Sequence, residues 1–384
     1  MIAFSFVLMN CTNDKILVTE GAAVTPPPPP PPVVGPSPAP PLVAPAPPVL
    51  VPKNIILLIG DGMGSEQLKA GSFYKTGSDN NLFIQSLPQK DFIKNAPLFT
   101  AITDSAAAAS AIATGVQSQN YAISYNRETS QEVPTILEHY KSLGKMTGIV
   151  TTTRSAHATP AAFAAHEYTR NSYNAISNDY FTLTRPNVIF GGFKNSEEYT
   201  RVQAEAAGYV VAEDKVELSA VDDSELHVYG HFGDGGGHLK YINQGRDADT
   251  PGLLEMTQKA LDLLEKDDDG YFLVIEGGRI DHAGHANNIN NLVHEMIEFD
   301  DVVKYVHDRT STDNETIVVV TADHETGGLT VTSNGANNIP SASWTTGGHT
   351  SQDIPMYMWG PNTEDYNIID FNHDIFHYLI DKVN

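Results

Sequence analysis

The sequence predicts an α/β fold: a three-layer sandwich in which a large, mostly parallel sheet is flanked by helices. Three observations support this prediction. Apolar runs rich in β-branched residues, typical of strands buried on both faces, recur along the chain. Helical patterns flank these runs, as expected for α/β proteins. Polar residues follow the runs, at the edge where open parallel sheets bind ligands.

The predicted strands and helices extend from residue 53 to the C-terminus. Four apolar runs have the composition of buried parallel strands: residues 54–59, 146–152, 271–275 and 316–321. Helical patterns precede the second and third runs, at residues 133–143 and 253–266. Large parallel sheets often use more than about 300 residues as one unit, so we expect one catalytic domain at residues 53–384. The stretch at about 173–249 separates its motifs and is expected to be an insert.

The N-terminal 52 residues differ in composition from the rest of the chain. Fifteen of the 24 prolines lie between Pro26 and Pro52. Residues 21–52 are therefore expected to form a disordered, extended tether. The apolar segment at residues 2–10 is too short to span a bilayer and resembles the end of a signal peptide, which assigns residues 1–20 to a leader.

Cys11 is the single cysteine of the chain. No intramolecular disulfide or cysteine zinc site can form, so any metal must be held by histidines and carboxylates. The segment Leu8-Met9-Asn10-Cys11 resembles a bacterial lipoprotein cleavage box, in which the cysteine carries a lipid anchor. Asn10 stands where a small residue is usual, and the alternatives are an ordinary signal peptide or a start site further upstream. The leader predicts a periplasmic or extracellular protein, with a membrane-anchored lipoprotein as one form.

The composition is that of a globular, strongly acidic protein. Hydrophobic residues make up 41% of the chain and charged residues 18%, which is enough for a sizeable core. The formal net charge of -24 repels nucleic acid and anionic lipid head groups, so nucleic acid is excluded as a specific partner. The same charge repels a phosphate substrate. An enzyme acting on phosphates would therefore need bound cations at its site.

Residues of metal-ligand type follow three of the predicted strands. Asp61 lies in a glycine turn after the first strand. Asp281 and His285 follow the third strand, with a spacing that places both on one face of a helical turn. Asp323 and His324 are adjacent after the fourth strand. Asp61 alone has an ordinary structural explanation, since Asp-Gly turns are common, whereas the spacing of Asp281 and His285 by itself favours a metal-ligand pair. Together they predict a metal centre, because these strands should end at the same edge of the sheet.

A short polar segment, an alanine run and Gly115 predict a helix that begins at Ser105. One interpretation is that Asp104 or Ser105 simply caps this helix. The other is that Ser105 is a nucleophile, placed where the backbone N–H groups and the helix dipole favour phosphate. A serine needs a base or a metal to become nucleophilic, and no Ser-His-Asp pattern is evident, so metal activation is the consistent choice. His349, a lone histidine beside glycines, is by itself an ordinary loop residue.

In their order along the chain these motifs resemble the alkaline phosphatases. The resemblance covers residues 53–384 and includes strand-Asp-Gly-Met-Gly, Thr-Asp-Ser-Ala-Ala, Ala-Thr-Pro-Ala-Ala with a downstream arginine, Glu-Gly-Gly-Arg-Ile-Asp-x-x-x-His, Ala-Asp-His and Gly-Gly-His-Thr. Together these motifs are highly specific. They imply a metal-dependent enzyme that hydrolyses small phosphate monoesters to an alcohol and inorganic phosphate.

The resemblance implies two zinc ions and one magnesium ion. It assigns their ligands as Asp281, His285 and His349 for the first zinc, Asp61, Asp323 and His324 for the second zinc, and Asp61, Thr159 and Glu276 for the magnesium. It implies that Ser105 carries the phosphoryl group as a phosphoserine between two in-line displacements. Arg170 would bind two phosphate oxygens through its guanidinium fork, and Asp104 belongs to the same substrate-binding group.

Two histidines depart from the best-known bacterial pattern. His157 stands where those enzymes have aspartate, and His282 stands where they have lysine; animal alkaline phosphatases look like this sequence at both positions. The resemblance implies a water-mediated contact between His157 and the magnesium ion, and a contact between His282 and phosphate. A neutral imidazole should hold magnesium weakly, which leaves the identity of the third metal open.

The remaining histidines give no clear signal. His227, His231 and His238 flank a glycine-rich segment, and a flexible surface loop is preferred over another metal site for them. His294 and Glu295 are interpreted as surface or packing residues.

The closest alternatives are other members of the same superfamily: a phosphodiesterase or nucleotide pyrophosphatase, a sulfatase, or a phosphate-transferring mutase. Diesterases usually carry threonine at the nucleophile and lack the third metal site, so Ser105 with Thr159, Glu276 and Arg170 favours monoesters. A non-enzymatic surface lipoprotein is the alternative from a different class. The natural substrate, the working temperature and the oligomeric state stay open, a homodimer being one alternative.

Overall fold

The computed structural model describes residues 25–32, 35, 51–88, 90–246 and 248–383. The predicted leader, Cys11 and most of the predicted tether lie outside these ranges. The chain divides into two units, Met1–Pro48 and Val49–Asn384. Residues 25–32 of the first unit are exposed and form neither helix nor strand. No helix in the described ranges is long and apolar enough to cross a membrane.

The second unit contains the strands. They are β1 (Asn54–Ile59), β2 (Lys90–Ile93), β3 (Tyr125–Asn126), β4 (Gln131–Glu132), β5 (Met146–Arg154), β6 (Val188–Gly192), β7 (Val210–Ala212), β8 (Val228–Phe232), β9 (Tyr271–Glu276), β10 (Thr316–Thr321), β11 (Glu325–Thr326), β12 (Leu329–Thr332), β13 (Ser341–Trp344), β14 (His349–Thr350) and β15 (Ile354–Trp359). Nine of them form one sheet in the order β2-β15-β10-β1-β9-β5-β6-β8-β7. Its neighbours pair in parallel except at β15, which runs antiparallel to both β10 and β2.

Helices flank the sheet. They are α1 (Ser65–Thr76), α2 (Ser105–Thr114), α3 (Ile136–Ser142), α4 (Ala158–Ala164), α5 (Tyr173–Asp179), α6 (Arg201–Ala206), α7 (Lys215–Ala220), α8 (Leu253–Leu264), α9 (Arg279–His285), α10 (Ile289–Thr310) and α11 (Asp374–Val383). They form two packed groups: α1, α8, α9 and α10 in one, and α2, α3, α4 and α11 in the other. The predicted α/β class, with a large mostly parallel sheet flanked by helices, is confirmed.

The four predicted strands form the centre of the sheet as the neighbours β10, β1, β9 and β5. All four are fully parallel to one another, with Asn54 opposite Thr316 and Met146 opposite Tyr271. Nearly every residue in them is buried, which is why they appear in the sequence as continuous apolar runs. The predicted bounds of β1 and β10 are confirmed, whereas β5 continues to Arg154 and β9 to Glu276.

Helix ends follow local capping chemistry. The predicted helix at residues 133–143 begins only at Ile136, because Thr135 caps it and accepts a hydrogen bond from the backbone N–H of Glu138 at 3.2 Å. The helix predicted to start at Ser105 does so, and it ends at Gly115 in the left-handed conformation with φ of 74°.

The stretch at about 173–249 contributes to the main sheet. It supplies β6, β7 and β8, which extend the parallel sheet beyond β5. His231 lies inside β8 opposite Gly191 and is buried. The interpretation of this histidine as part of a flexible surface loop is therefore wrong. Short strands next to glycines carry too little periodicity to be recognised.

The packing of β9 predicts a contrast between two leucines. Leu273 in the centre of β9 is 0% exposed, whereas Leu226 is 64% exposed. Leu273→Ala should lower the free energy of unfolding by about 2–5 kcal/mol, because it leaves a cavity in the core. Leu226→Ala should lower it by less than about 0.5 kcal/mol. Urea unfolding of both variants measures the difference. Equal losses of unfolding free energy would contradict the position of β9 in the core.

Candidate active site

The predicted site residues converge at the carboxyl ends of the central strands. Asp61 follows β1, Asp281 lies on α9 directly after β9, and Asp323 follows β10. Because these strands are parallel neighbours, their carboxyl ends lie side by side. Asp61, Asp323 and His324 each contribute one ligand-type atom to a group whose atoms all lie within 4.8 Å of one another. The residues predicted for the second zinc ion are therefore brought together.

A second group lies beside the first. One ligand-type atom from each of Asp281, His324 and His349 lies within 4.8 Å of the other two. Nε2 of His285 is 3.3 Å from Oδ2 of Asp281 and 3.1 Å from Nε2 of His349. The four-residue spacing on α9 puts Asp281 and His285 on one face of the helix. The three residues predicted for the first zinc ion are thus in mutual contact.

His349 is held in place by pairing of its backbone with a neighbouring strand, and does not lie in an unpaired loop. It lies in β14 opposite Thr326 of β11, and β11 directly follows Asp323 and His324. The rings of His324 and His349 are stacked, with centroids 3.5 Å apart. A two-residue strand carries no periodicity, so local sequence does not predict this pairing.

Backbone carbonyls fix the tautomers of two of these histidines. Nδ1 of His349 donates to the carbonyl of Thr103 at 2.8 Å, and Nδ1 of His285 donates to the carbonyl of Gly347 at 2.7 Å. In the neutral ring the proton therefore sits on Nδ1 and the lone pair sits on Nε2. A neutral imidazole oriented in this way is a typical metal ligand.

His324 has the same tautomer through a side-chain relay. The hydroxyl of Thr326 donates to Oδ1 of Asp281 at 2.5 Å, so it can only accept from Nδ1 of His324, which lies 3.2 Å away. In the neutral form of His324 the lone pair is again on Nε2. That atom is 3.2 Å from the hydroxyl oxygen of Ser105.

The carboxylates of the site are buried and only partly satisfied. Asp61, Asp323 and Glu276 are 0% exposed. Both carboxylate oxygens of Asp61 and Oε1 of Glu276 have no hydrogen-bond partner among the described residues, and the buried hydroxyl of Thr159 has none either. Burying a charge without a partner costs several kcal/mol. Divalent cations fit these atoms as partners.

The pKa values of the buried carboxyl groups are shifted, because several of these groups lie close together. Burial raises the pKa of Asp61 well above its ordinary value, and the charges of Asp323, Asp281 and Glu276 raise it further. Burial also raises the pKa of Glu276 to about 7. Burial alone would raise the pKa of Asp323, but the adjacent His324 lowers it overall. Positive charge in the middle of the site would stabilise the ionised carboxylates and so reduce their mutual repulsion.

A third group joins the first at Asp61. One ligand-type atom from each of Asp61, His157 and Glu276 lies within 4.8 Å of the others. Thr159 lies nearby in the chain, at the second position of α4. The hydroxyls of Thr151 and Thr153 both donate to Oε2 of Glu276. This arrangement contains the three residues predicted for the magnesium ion, and His157 beside them.

The side chain of Asp104, not that of Ser105, caps the start of α2. Asp104 caps the helix, because its Oδ1 accepts from the N–H of Ala107 at 3.0 Å. Ser105 is the first residue of the helix, is 1% exposed, and directs its hydroxyl toward His324. The hydroxyl of Ser105 therefore takes no part in capping the helix.

Arg170 lies beside the same helix start. Its Nη1 donates to Oδ2 of Asp104 at 3.1 Å, and its Nη2 donates to Nε2 of His157 at 3.2 Å. Its backbone N–H donates to the carbonyl of Tyr121 at 2.7 Å. These contacts hold the guanidinium fork beside Asp104, the residue that precedes Ser105.

Comparison with known proteins decides the family. The family model for alkaline phosphatase matches residues 52–342, which is most of the chain. The chain belongs to the alkaline phosphatase family. Alkaline phosphatase 3 of Bacillus subtilis is 31% identical over 399 residues, covering 82% of this chain and 85% of that protein. The alkaline phosphatase of Escherichia coli is also 31% identical, covering 71% of this chain and 70% of that protein.

Solved alkaline phosphatases have the same fold. The enzyme from the Antarctic bacterium TAB5 matches with a TM-score of 0.77 at 28% identity, covering 87% of this chain and 98% of that one. This protein is therefore a phosphatase that hydrolyses phosphate monoesters.

The sequence interpretation of this alkaline phosphatase missed His238. Its ring centroid lies 5.2 Å from that of His157 and 4.4 Å from that of His282. His238 does lie in a loop and is partly exposed, but its ring packs against two histidines of the site. The glycines near it were the one available sign of this packing. A Cβ at Gly192 would collide with the carbonyl oxygen of Gly237, so the two backbones approach closely at this point.

The raised pKa of Glu276 predicts how metal-free protein responds to pH. In the folded state this carboxyl stays protonated up to about pH 7, whereas its ordinary pKa is 4.5. Folding therefore retains a proton that the unfolded chain releases, and stability should fall as pH rises from about 4.5 to about 7. Glu276→Gln should weaken this dependence, and Glu128→Gln, at an exposed position, should not. Urea unfolding of chelator-treated protein across this pH range measures it; equal pH dependence in parent and Glu276→Gln would contradict the assignment.

Proposed function

We propose that this alkaline phosphatase transfers the phosphoryl group of a monoester to Ser105 and then to water, assisted by two zinc ions and one magnesium ion. The observation that carries the proposal is the common tautomer of His285, His324 and His349, each of which keeps the Nε2 lone pair free beside buried carboxylates. Together with Asp61, Asp281 and Asp323, these histidines offer the nitrogen and oxygen ligands that zinc prefers.

Oxygen ligands favour magnesium at the third group. Asp61, Glu276 and Thr159 supply only oxygen atoms, and each of the three side chains has a buried oxygen without a hydrogen-bond partner among the described residues. A His-to-Glu variant of the TAB5 enzyme is described with magnesium bound in a site called M3. This relative supports a magnesium site within the family. When bound, the divalent ions supply the positive charge that lowers the pKa of a serine hydroxyl or of water and that attracts phosphate to an acidic protein.

Ser105 acts as the nucleophile in this proposal. Its hydroxyl oxygen loses a proton and bonds to phosphorus while the bond to the leaving alkoxide breaks, and the alcohol departs with a proton. Water then attacks the phosphoserine, the bond between Ser105 and phosphorus breaks, and the serine regains its proton as phosphate leaves. The N-terminus of α2 places backbone N–H groups and the positive end of the helix dipole next to the transferred group.

Arg170 orients the phosphoryl group. Its guanidinium fork matches two phosphate oxygens, and the ion pair with Asp104 at 3.1 Å limits its movement. His157 holds the other side of the fork at 3.2 Å. His282 is proposed to contact phosphate through water.

The N-terminal region gives the enzyme its proposed location. We infer export to the periplasm or the cell exterior from the apolar leader-like segment at residues 2–10, with the proline-rich residues 21–52 as a tether to the domain at 53–384. Lipid attachment at Cys11 and a homodimeric assembly stay predictions.

Replacing Ser105 tests the nucleophile. Ser105→Ala should lower kcat by roughly a thousandfold and leave no phosphoenzyme after acid quenching, while the metal content per chain stays unchanged. Ser110→Ala, on the same helix, is the control and should still form the phosphoenzyme. Trapped phosphate on Ser105→Ala would assign the nucleophile to another residue.

The substrate class has a separate test. The metal-loaded enzyme should hydrolyse an aryl phosphate monoester at least about a hundredfold faster than the corresponding diester, because Arg170 and a third cation suit a phosphoryl group with several charged oxygens. Initial rates at equal substrate concentration measure the ratio. A faster diester rate would contradict the proposal.

A further inference from the structure

A cluster of three histidines lies beside the proposed phosphate-binding residues. One ring nitrogen from each of His157, His238 and His282 lies within 4.8 Å of the other two, and we call these residues the histidine cluster. Their ring centroids are 4.4, 5.2 and 5.5 Å apart. Arg170 joins the cluster to the phosphate-binding group through its contact with His157. His238 and His282 are partly exposed, so a solute can reach the cluster.

Donor groups determine the tautomer of each ring in the cluster. One nitrogen of each ring accepts from a group that can only donate: Nδ1 of His238 from the backbone N–H of Arg154 at 3.2 Å, Nδ1 of His282 from the guanidinium of Arg279 at 2.6 Å, and Nε2 of His157 from the guanidinium of Arg170 at 3.2 Å. The accepting nitrogen must carry the lone pair, so the proton sits on the opposite nitrogen. The cluster therefore offers N–H groups at Nε2 of His238, Nε2 of His282 and Nδ1 of His157.

This pattern is the reverse of the one in the proposed zinc ligands. His285 and His349 donate through Nδ1 to carbonyls and keep a lone pair on Nε2. In the cluster the remaining nitrogens carry protons, and a protonated nitrogen does not bind a metal ion. Although three histidines are also a typical zinc-binding set, this cluster is arranged to donate hydrogen bonds. Its fitting ligand is an anion.

Arg279 adds positive charge at the edge of the cluster. Its guanidinium lies over the ring of Tyr241 at 3.9 Å from the centroid. Its Nε is buried and has no hydrogen-bond partner among the described residues. The ion pairs of the described ranges include Arg154 with Glu197 and Arg170 with Asp104, but none involves Arg279. An anion in the cluster would compensate this charge.

We propose that the histidine cluster and Arg279 form a second anion-binding subsite, which takes the non-transferred phosphate of an organic diphosphate substrate. The inference rests on the proposed function, in which the terminal phosphoryl group goes to Ser105. The other phosphate stays with the leaving group and accepts hydrogen bonds from the cluster. The subsite gives the enzyme a preference for a nucleoside diphosphate over the matching nucleoside monophosphate.

His238 is the residue through which to test the subsite, because it belongs to none of the proposed metal-ligand sets. His238→Ala should lower kcat/KM for the nucleoside diphosphate roughly tenfold and change kcat/KM for the monophosphate less than about twofold, since one hydrogen bond to a charged group is lost. His238→Gln keeps an N–H donor and an acceptor and should recover part of the preference. His227→Ala, outside the cluster, is the matched control and should change neither value. Unchanged monophosphate kinetics would show that each variant is folded.

An unchanged ratio of the two kcat/KM values in His238→Ala would overturn the subsite, whether both values fall equally or neither changes. If the ratio depends on His238 while the parent forms no phosphoserine, the subsite stands and the proposed mechanism fails.

Binding measurements distinguish the other possible ligands. Calorimetric titration of metal-loaded Ser105→Ala with pyrophosphate should show one site, weakened roughly tenfold by adding His238→Ala, whereas affinity for inorganic phosphate should not change. Two phosphate ions bound per chain in Ser105→Ala, and one after adding His238→Ala, would identify a site for free phosphate and overturn the assignment to substrate. Loss of one metal ion per chain in His238→Ala by elemental analysis would identify a metal site and overturn it too.

Discussion

The mutual repulsion of carboxylates buried at one edge of the sheet is the constraint on which the rest of the site depends. Asp61, Glu276, Asp281 and Asp323 are brought together because β1, β9 and β10 end side by side. Burial and like charge raise the pKa of Asp61 and Glu276, so these groups resist ionisation unless positive charge is nearby. Cations would supply that charge and would also reverse the local sign of a protein whose net charge is -24.

Hydrogen bonds around the site divide its histidines into two kinds. Those facing the carboxylates, such as His349, donate through Nδ1 and present a lone pair. Those around Arg170, such as His238, accept through one nitrogen and present an N–H group. Residue type alone does not separate a metal-binding histidine from an anion-binding one; the partner on the far side of the ring does. In the functions proposed above, the first kind of histidine binds cations and the second kind binds an anion.

The sequence was sufficient for the centre of the fold and for the residues that converge on it. Buried strands such as β1 and β10 form continuous apolar runs, and the helix at Ser105 has an evident start and stop, so local patterns predicted them. The outer strands β6 to β8 and the pairing that holds His349 were not predictable, because short strands lack periodicity and their partners are distant in the chain. His238 was missed for the same reason: its position depends on where a glycine loop returns to β5.

We propose that the buried carboxylates and the histidines with free Nε2 atoms form a centre for two zinc ions. The most direct test is anomalous X-ray diffraction at the zinc absorption edge on crystals of the metal-loaded protein. We expect two strong zinc peaks, one among Asp281, His285 and His349 and one among Asp61, Asp323 and His324, with a lighter ion near Glu276. Peaks absent from both positions, or a zinc peak within the cluster around His238, would contradict it.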